Sequence, residues 1–456
     1  MAITPNNNPT KHGQQSLDAD QLSLQLTQLA DQYKIKTWCL AYSGGVDSQV
    51  LLHLLKQSKL NVSAVYIDHG LQAESSEWSK HCEYQCKQLN VPFQSISVNA
   101  QAGKGESPEA AARSARYNAF KKILKPDMCL LTAQHQDDQA ETVLLQLLRG
   151  GNAAGVAAMP KISAFEKSWH CRPLLNVSQQ AILDYAQKNN LIWVEDPSNQ
   201  QQNYDRNYLR HSVIPVIQQR WSAVNKTLFV FAQQQAENVQ LLDELAKIDL
   251  RSVLLKPDQL SIFQLNKLSD ARLRNTLRYW IKQNQSPLPS RAVLQQIVSQ
   301  LQNDSHDTHS LVSWAGVEVR RFRDALYLLK SIEHDPQQSF QWNGKDVLTL
   351  SSIEKKLMLK KTQAGKDEPY ILNKKVLSKP VTVRFRQGGE RLKPAGRNAR
   401  HDLKSLFQEA GVPAWQRDKI PLLYAGDELI AVVGYWLSDE YAVQDEQGFL
   451  PVLVSG

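Results

Sequence analysis

The stretch Ser43-Gly44-Gly45-Val46-Asp47-Ser48 lies between an apolar run at residues 37–42 and a second one at residues 50–55. The first run has the length of a buried parallel strand, and the second is typical of a helix. The six residues therefore form the turn of a strand–turn–helix unit. Two adjacent glycines let the backbone come close to an anion, and the N–H groups at a helix start point toward it. We predict that residues 43–48 bind phosphate groups.

Asp47 separates this loop from the Walker A type, in which Lys and Ser or Thr follow the last glycine. Phosphate groups repel a carboxylate unless a cation lies between them. Mg²⁺ bridging Asp47 to a nucleotide is therefore the expected arrangement. Small polar loops with two glycines are common, and the alternative is an ordinary strand-to-helix turn that the neighbouring motifs must exclude.

Strands and helices alternate through the first 200 residues. After the first strand we expect strands at residues 61–68, 91–98, 128–132 and 191–194, with helices between them. This alternation predicts a parallel sheet covered on both faces, in which ligands bind at the carboxyl ends of the strands. Three polar segments follow strand ends, namely residues 43–48, Asp68-His69 and residues 134–141. Each alone is explained by turns or helix N-terminal acids, and together they predict a site.

Four arginines belong to the candidate site or its surroundings. Arg113 and Arg116 lie three residues apart on one face of a predicted helix, and Arg206 and Arg210 lie on neighbouring turns of another. Solvated helix faces would account for all four. Contacts with phosphate groups or with a nucleotide are the functional alternative.

Composition limits the class of protein. With 456 residues, 42% hydrophobic and 21% charged, the sequence is typical of a globular protein of two or three domains. Its apolar runs are too short for a membrane span, and the first sixteen residues lack the apolar core of a signal peptide. We expect a cytoplasmic protein with no membrane partner. The five cysteines show neither a disulfide framework nor zinc-ligand spacing.

Positive charge is concentrated near the C-terminus. The formal net charge is +8, and residues 374–420 contain twelve Lys or Arg against four Asp or Glu, whereas residues 421–456 contain six acids and no Lys or Arg. This distribution predicts a basic face in the last domain, which is compatible with nucleic-acid binding. The expected segments are a disordered tail at 1–20, an α/β parallel-sheet nucleotide-binding domain at 21–215, a mainly helical middle domain at 216–335, a linker at 336–373 and a small α+β C-terminal domain at 374–456.

The loop at residues 43–48 resembles the PP-loop of the N-type ATP pyrophosphatases, and further motifs resemble the tRNA(Ile)-lysidine synthetase family. The resemblance covers roughly residues 36–437 and is strongest at its two ends. The motifs lie at residues 68–71, 112–117, 137–142, 148–150, 172–175 and 206–211 and, toward the C-terminus, at residues 384–390, 403–404, 411–413 and 421–427.

The resemblance implies a modification of the wobble cytidine in a tRNA(Ile) with a CAU anticodon. ATP would adenylate the C2 oxygen of that base in the presence of Mg²⁺, and the side-chain amine of free L-lysine would displace AMP. The product, lysidine, would pair with A rather than G.

The resemblance also implies roles for individual residues. It gives catalytic roles to Asp47, Arg113, Asp137, Asp138, Glu141 and Arg206, with Asp47 also holding the metal ion. It gives ATP binding to Ser43, Gly44, Gly45, Val46, Asp47, Ser48, Asp68 and His69, and lysine binding to Asp138 and Glu141. It gives tRNA binding to Arg116, Arg210, Arg384, Arg386, Lys393, Arg397 and Lys404.

Gln134 is the one departure from the family pattern that concerns the site. The family usually has two adjacent histidines where this chain has Gln134-His135. A glutamine forms hydrogen bonds but neither shuttles protons nor becomes cationic. We expect the exchange of Gln134 for His to change the apparent affinity for lysine.

Other functions fit the sequence less well. A PP-loop tRNA thiolase needs a persulfide cysteine or a set of cysteines for an iron–sulfur cluster, and Cys39, Cys82, Cys86, Cys129 and Cys171 form no clear set. An RNA-binding protein with an inactive nucleotide fold would be expected to have a degraded loop, whereas the loop at residues 43–48 is intact. Amide-forming synthetases that act on small molecules have no need of the basic C-terminal domain. The oligomeric state is left open by the sequence, which is compatible with a homodimer.

Overall fold

The computed structural model describes residues 17–70, 75–101, 108–201, 203–302, 311–365, 370–373, 376, 380–444 and 447–455. The chain divides into two compact units, residues 1–244 and 245–456. Most of the tail expected at residues 1–20 lies outside the described residues. Its last part is ordered, because Leu17 packs on the core and the Asp18 side chain caps a helix that begins at Ala19. Among the described residues, no helix combines the length and apolarity needed to cross a membrane.

The first unit is built on a mainly parallel sheet, as expected. The strand order is β3-β2-β1-β4-β6-β5, and only the β5–β6 pair is antiparallel. The strands are β1 (Thr37–Ala41), β2 (Val62–Asp68), β3 (Phe93–Ser97), β4 (Met128–Leu131), β5 (Ile162–Phe165) and β6 (Ser168–Cys171).

Helices cover both faces of this sheet. The helices of this part of the chain are α1 (Ala19–Tyr33), α2 (Val46–Gln57), α3 (Ser75–Gln88), α4 (Pro108–Ile123), α5 (Gln136–Leu148), α6 (Ala153–Val156), α7 (Gln179–Lys188), α8 (Asp205–Tyr208), α9 (Ile214–Arg220) and α10 (Val224–Val253), which continues into the second unit. A 3₁₀ turn at Pro197–Gln200 precedes α8, and a π-helical turn at Leu209–Val213 joins α8 to α9.

The order of the strands explains where the site forms. The chain runs from β1 outward through β2 to β3 and then returns to place β4 on the other side of β1. The loops after β1 and β4 therefore leave the sheet at the point where the strand order reverses, which is the usual ligand position in such sheets. These loops carry residues 43–48 and residues 132–135.

The core of the first unit follows from the apolar runs of the sequence. Trp38 and Leu40 of β1 are buried together with Leu51, Leu54 and Leu55 of α2. Because strand and helix are both anchored, the turn between them is held in place. Residues 191–194, expected as a strand, are not part of the sheet. The β5–β6 hairpin occupies that edge instead, and the Val194 N–H donates to the Gly44 carbonyl at 2.9 Å.

The segment expected as the middle domain is mainly helical and also contains a sheet. Besides α10 it has α11 (Ile262–Leu265), α12 (Asp270–Gln283) and α13 (Arg291–Gln302). The sheet has the order β7-β8-β11-β10-β9 and consists of β7 (Leu254–Lys256), β8 (Gln259–Ser261), β9 (Leu311–Trp314), β10 (Val317–Phe322) and β11 (Ala325–Lys330). Trp280 of α12 and Val319 of β10 are both buried in the core shared by helices and sheet.

The prediction of a linker at residues 336–373 is wrong, because the described residues of this segment form strands of the C-terminal sheets. Residues of β14 pair along the whole of β23, and β12 pairs with β16. The strands are β12 (Ser339–Trp342), β13 (Leu348–Leu350), β14 (Lys355–Gln363), β15 (Ile371–Leu372), β16 (Val381–Arg384), β17 (Arg391–Leu392), β18 (His401–Asp402), β19 (Leu422–Ala425), β20 (Glu428–Val432), β21 (Trp436–Leu437), β22 (Ala442–Val443) and β23 (Gln447–Ser455). The strand patterns of the supposed linker are weak because one side of β14 is solvated.

Two short helices complete this C-terminal part, α14 (Leu403–Glu409) and α15 (Ala414–Arg417). Leu403 and Phe407 of α14 are buried in a small core with Leu422. Within the second unit, Trp415 of α15 packs edge-on against Phe322 and Tyr327, with ring centroids 6.0 and 5.6 Å away. The C-terminal part is thus α+β, as expected, and starts before residue 374.

Candidate active site

The loop at residues 43–48 is closed by its own serines. The Oγ atoms of Ser43 and Ser48 lie 3.1 Å apart, and Ser48 Oγ donates to the Gly45 carbonyl at 3.0 Å. Gly45 is the N-cap of α2 and makes no side-chain cap, so the N–H groups of the first turn have no capping oxygen. This leaves donors of the kind that hold phosphate oxygens.

Position 44 requires a glycine for two reasons. Its φ is +81°, in the left-handed region that favours glycine. A Cβ at this position would lie 2.9 Å from Cys82 Sγ on α3. The backbone of the loop is therefore packed directly against α3.

His135 connects Asp47 with the acids of α5. Its Nδ1 accepts the Asp137 N–H at 3.3 Å, so the proton of a neutral imidazole lies on Nε2. That Nε2 is 3.7 Å from Asp47 Oδ2 and 3.6 Å from Asp138 Oδ2. Asp138 Oδ2 also accepts the His135 N–H at 3.0 Å, which completes a capping box at the start of α5. The cap of α5 thus holds the Asp138 carboxylate beside the imidazole, and Asp47 of α2 lies near the same Nε2 atom.

Two acids and two arginines form an ionic quartet beside this group, defined as Asp138, Glu141, Arg206 and Arg210. Arg206 Nε donates to Glu141 Oε2 at 2.6 Å, and Arg210 Nε donates to Glu141 Oε1 at 2.5 Å. An NH2 nitrogen of each arginine lies 3.1 Å from Asp138 Oδ1. Both acids come from one face of α5, since they are three residues apart, and the arginines are four apart at the junction of α8 and the π-helical turn.

The electrostatics of the two neighbouring aspartates differ. Burial raises the pKa of Asp138, but His135, Arg206 and Arg210 outweigh it and hold the pKa below its usual range. Burial and the nearby acids raise the pKa of Asp47 in spite of His135 and Arg210. Asp47 Oδ1 is buried and has no hydrogen-bond partner. A cation at Asp47 would compensate both features.

Asp137, Asp68 and His69 have local contacts. Asp137 accepts the Gln179 N–H at 3.2 Å and the Asn225 side-chain amide at 2.8 Å, so it joins α5 to α7 and α10. Asp68 Oδ1 accepts the Gly70 N–H at 2.9 Å and closes its own turn. His69 Nε2 lies 3.0 Å from a guanidinium nitrogen of Arg116.

Arg113 is exposed and lies over the Tyr117 ring, with its guanidinium carbon 4.7 Å from the centroid. Within the described part of the chain, its polar contact is with the Tyr117 hydroxyl at 3.4 Å and not with the quartet. The described residues also contain no group of three His, Cys, Asp or Glu arranged to hold a metal ion. The structure thus brings together Asp47, Asp138, Glu141, Arg206 and Arg210, and leaves Asp137 and Arg113 in other contacts.

Comparison with known proteins identifies the family. Three family models match: a PP-loop domain over residues 19–217, a TilS substrate binding domain over residues 260–327 and a TilS substrate C-terminal domain over residues 381–452. The tRNA(Ile)-lysidine synthase of Coxiella burnetii is 40% identical over 90% of this chain and 91% of its own length. That of Methylococcus capsulatus is 39% identical over 90% of this chain and 94% of its own length.

The chain belongs to the tRNA(Ile)-lysidine synthetase (synthase) family. It is therefore an enzyme, a ligase of tRNA modification with an ATP-binding PP-loop domain. The expected family, fold class and enzyme class are confirmed.

The basic residues expected to bind tRNA differ in how far their charge is compensated. Arg397 forms a two-pronged pair with Glu409 at 2.9 and 2.6 Å, Lys393 Nζ lies 2.6 Å from Asp439, and Arg386 lies 3.2 Å from Asp418. Arg384 lies over the Tyr424 ring. Lys404 is exposed on α14 and makes no ion pair with any of the described residues. For a tRNA(Ile)-lysidine synthetase, this makes Arg384 and Lys404 the less compensated charges.

Several site residues were missed at the sequence level. His135 was named only for its neighbour, although a histidine in the loop after a strand and shortly before three acids is a detectable signal. Thr132, His170 and Arg172 form a buried hydrogen-bonded group with Gln134 at the ends of β4 and β6. Of these, only Arg172 belonged to a recognised motif, and nothing in the spacing indicated that β6 lies next to β4.

Proposed function

We propose that this protein ligates free L-lysine to C2 of the wobble cytidine of tRNA(Ile) with a CAU anticodon, using ATP. Adenylation of the C2 oxygen releases diphosphate and makes that oxygen a leaving group. Attack by the lysine side-chain amine then releases AMP and forms lysidine, which changes the codon read from AUG to AUA. The reaction belongs in the cytoplasm, where its tRNA substrate is found.

The loop at residues 43–48 is the proposed cradle for the phosphates of ATP. The uncapped first turn of α2 offers N–H donors, and Ser43 and Ser48 border it. Asp68 and His69, at the end of β2, are the proposed further contacts to the nucleotide. The loop after β2 borders the same edge of the sheet, because β2 is the neighbour of β1.

Mg²⁺ fits the surroundings of Asp47. Its Oδ1 is buried without a hydrogen-bond partner, and burial together with the nearby Asp138 and Asp137 raises the pKa of Asp47 in spite of His135 and Arg210. A single carboxylate suits Mg²⁺, which is often held by one or two carboxylates and the phosphates of a substrate. When bound, the ion would neutralise charge on the phosphates.

The quartet is the proposed site for the lysine amine. Asp138 is held ionised by its lowered pKa, which suits the attraction of an ammonium group and makes it a weak base. Glu141 lies beside it on the same helix face and is 1% exposed. Arg206 and Arg210 keep both carboxylates oriented, and their guanidinium groups are only partly buried, at 26% and 30% exposed. We propose that Arg206 also meets the phosphate or the adenylated base.

Two of the predicted catalytic residues, Arg113 and Asp137, are not members of the quartet. Arg113 is exposed and stacks on Tyr117, so it is free to contact a phosphate of the incoming tRNA or nucleotide. Asp137 is proposed to act indirectly, because its two oxygens accept from Gln179 and Asn225 and thereby hold the start of α5. The tRNA itself would be bound by Arg116, Arg210 and the basic residues of the C-terminal part.

The observation that carries this proposal is the position of His135 Nε2 between Asp47, at 3.7 Å, and Asp138, at 3.6 Å. It connects the proposed phosphate site with the proposed amine site over one imidazole ring. The test is incubation of the protein with ATP, Mg²⁺, labelled lysine and unmodified tRNA(Ile) with a CAU anticodon. Label should enter that tRNA and not elongator tRNA(Met), and equal labelling of the two, or none, would contradict the proposal.

A further inference from the structure

Four side chains at the ends of β4 and β6 form one continuous chain of hydrogen bonds. An NH2 nitrogen of Arg172 lies 3.2 Å from His170 Nδ1, and His170 Nε2 lies 2.8 Å from Thr132 Oγ1. Thr132 Oγ1 in turn bonds to Gln134 Oε1. Thr132, His170 and Arg172 are buried, whereas Gln134 is half-buried. The series of hydrogen bonds thus runs from the interior to the edge of the sheet that carries the candidate site.

The direction of every bond in this chain is determined by Arg172, because a guanidinium group can only donate. His170 Nδ1 must accept, so the ring proton of the neutral imidazole lies on Nε2 and is donated to Thr132. The hydroxyl group has one proton left to donate, and Gln134 Oε1 receives it. The amide of Gln134 is therefore held with its oxygen inward and its nitrogen outward.

The outward nitrogen of Gln134 is an unused donor. It has no hydrogen-bond partner among the described residues. Gln134 precedes His135, whose imidazole lies between Asp47 and Asp138. Burial, Arg172 and Arg113 lower the pKa of His170 to about 3, so the imidazole stays neutral near neutral pH. The donor and acceptor in each of these hydrogen bonds therefore stay the same in that pH range. A guanidinium at the inner end polarises the bonds and strengthens the outermost donor.

A polarised donor is best matched by an anionic oxygen. We propose that Gln134 binds an anionic oxygen of a substrate through its amide nitrogen, and that Arg172, His170 and Thr132 position it as a donor. The inference rests on the proposed function, whose two small substrates each supply such an oxygen: a phosphate oxygen of ATP and the carboxylate of free lysine. Gln134 neither shuttles protons nor carries charge, and donating a hydrogen bond requires neither property.

The test uses the full chain with ATP, Mg²⁺, labelled lysine and the tRNA(Ile) with a CAU anticodon, at varied ATP and varied lysine. Gln134→Met removes the donor and keeps the length, and Gln134→Glu places a negative charge at the same point. The KM for one of the two substrates should rise about tenfold or more in Gln134→Met and further in Gln134→Glu, because a hydrogen bond to a charged group is lost. The kcat should change less.

The two sources of the oxygen give different results. With the carboxylate as acceptor, the KM for lysine rises, and the inhibition constant of cadaverine, which lacks the carboxylate, stays unchanged. With a phosphate as acceptor, the KM for ATP rises instead. Unchanged KM values for both substrates in both variants overturn the inference.

Variants of Thr132 test the positioning part without touching the proposed donor. Thr132→Val removes the hydroxyl group at nearly constant shape, and the same KM should rise several-fold, whereas Thr132→Ser should stay within about twofold of wild type. Equal effects of the two variants overturn the positioning role. Gln88→Met, at the exposed end of α3 and the opposite edge of the sheet, is the matched control and should not change either KM.

Failure of this inference is distinguishable from failure of the proposed function. Wild-type protein that labels the tRNA, together with Gln134 variants that equal it, overturns the inference alone. Wild-type protein that labels no tRNA overturns the proposed function.

Discussion

Arg206 donates from its Nε to Glu141 Oε2 at 2.6 Å across a separation of 65 residues. Glu141 is 1% exposed, so its charge depends on Arg206 and on the second arginine, Arg210, for compensation. A buried carboxylate with two arginines is stable only while all partners are present, because breaking such a group leaves an uncompensated charge. The quartet is therefore both part of the candidate site and part of the fold.

Replacing Glu141 with Gln should lower the free energy of unfolding by about 3 kcal/mol, measured by urea titration at neutral pH. The remaining carboxylate, Asp138, would have to compensate both arginines. The control is Glu166→Gln, which removes an exposed ion pair with Lys121 at 2.8 Å and should have no measurable effect. Equal losses in the two variants would show that the quartet does not contribute to stability.

Asp47→Asn should abolish AMP release and at the same time raise the melting temperature at pH 7. The pKa of Asp47 is raised in the folded state, chiefly by burial, so the charged carboxylate opposes folding at any pH above the folded-state pKa. Below the unfolded pKa of about 3.9 both states are protonated and the penalty is absent. The stability difference between variant and wild type should therefore shrink as the pH falls. A variant less stable than wild type at pH 7 would contradict the assignment.

His170 should make the wild-type protein less stable as the pH falls below about 6.5. Its folded-state pKa is lowered to about 3, chiefly by burial, so between these values the unfolded state binds a proton that the folded state does not. The slope from this group approaches about 1.4 kcal/mol per pH unit. The measurement is urea unfolding of wild type and His170→Gln at pH 7 and pH 5.

The pH dependence of His170→Gln should be shallower than that of wild type. His69, whose pKa is also lowered, to about 4, is present in both proteins, so the difference between them reports on His170. Identical pH slopes would mean that His170 titrates normally in the folded protein.

Gly44→Ala should cost more than about 1 kcal/mol of stability and impair the use of ATP, because it combines a left-handed φ of +81° with a Cβ 2.9 Å from Cys82 Sγ. Gly45→Ala is the matched comparison. Gly45 has a φ of −71°, and a Cβ there would lie 3.6 Å from Ser43 Oγ, so the stability of Gly45→Ala should differ little from that of wild type. Unfolding titrations and AMP release measure both effects, and equal stability of the two variants would contradict this account of the loop.

Lys404→Glu should raise the tRNA concentration needed for half-maximal activity and flatten the salt dependence of tRNA binding by about one unit of slope. Lys404 is exposed and forms no ion pair with the described residues, so its charge is available to phosphates. Arg397→Ala should have a smaller effect, since Glu409 already pairs with Arg397 at 2.6 Å. Filter binding at several salt concentrations measures both, and a larger effect of Arg397→Ala would reverse this ranking.

Local signals in the sequence were sufficient for the strand–turn–helix unit of β1 and α2 and for β2, β3 and β4, but not for the sheet edge, where the β5–β6 hairpin lies in place of the strand expected at residues 191–194. An apolar strand, a glycine turn and an apolar helix are adjacent in the chain, and adjacency makes their geometry predictable. The same holds for the acids of α5, since residues three apart on a helix share a face. The part of the C-terminal unit at residues 339–363 was mistaken for a linker because its strands pair with β16 and β23, which are distant in sequence and partly solvated.

The sequence alone thus determined the glycine loop at residues 43–48, the order of β1 to β4 with the helices between them, and the residue types of the candidate site. Only the tertiary structure decided the partners: Arg206 and Arg210 with Asp138 and Glu141, and Asp137 with Asn225. It also connected Arg172 with Gln134 by hydrogen bonds through two intervening side chains. The physical reason is that periodicity reports only on neighbours within one element. Which charges compensate one another depends on the packing of elements that the chain joins over long distances.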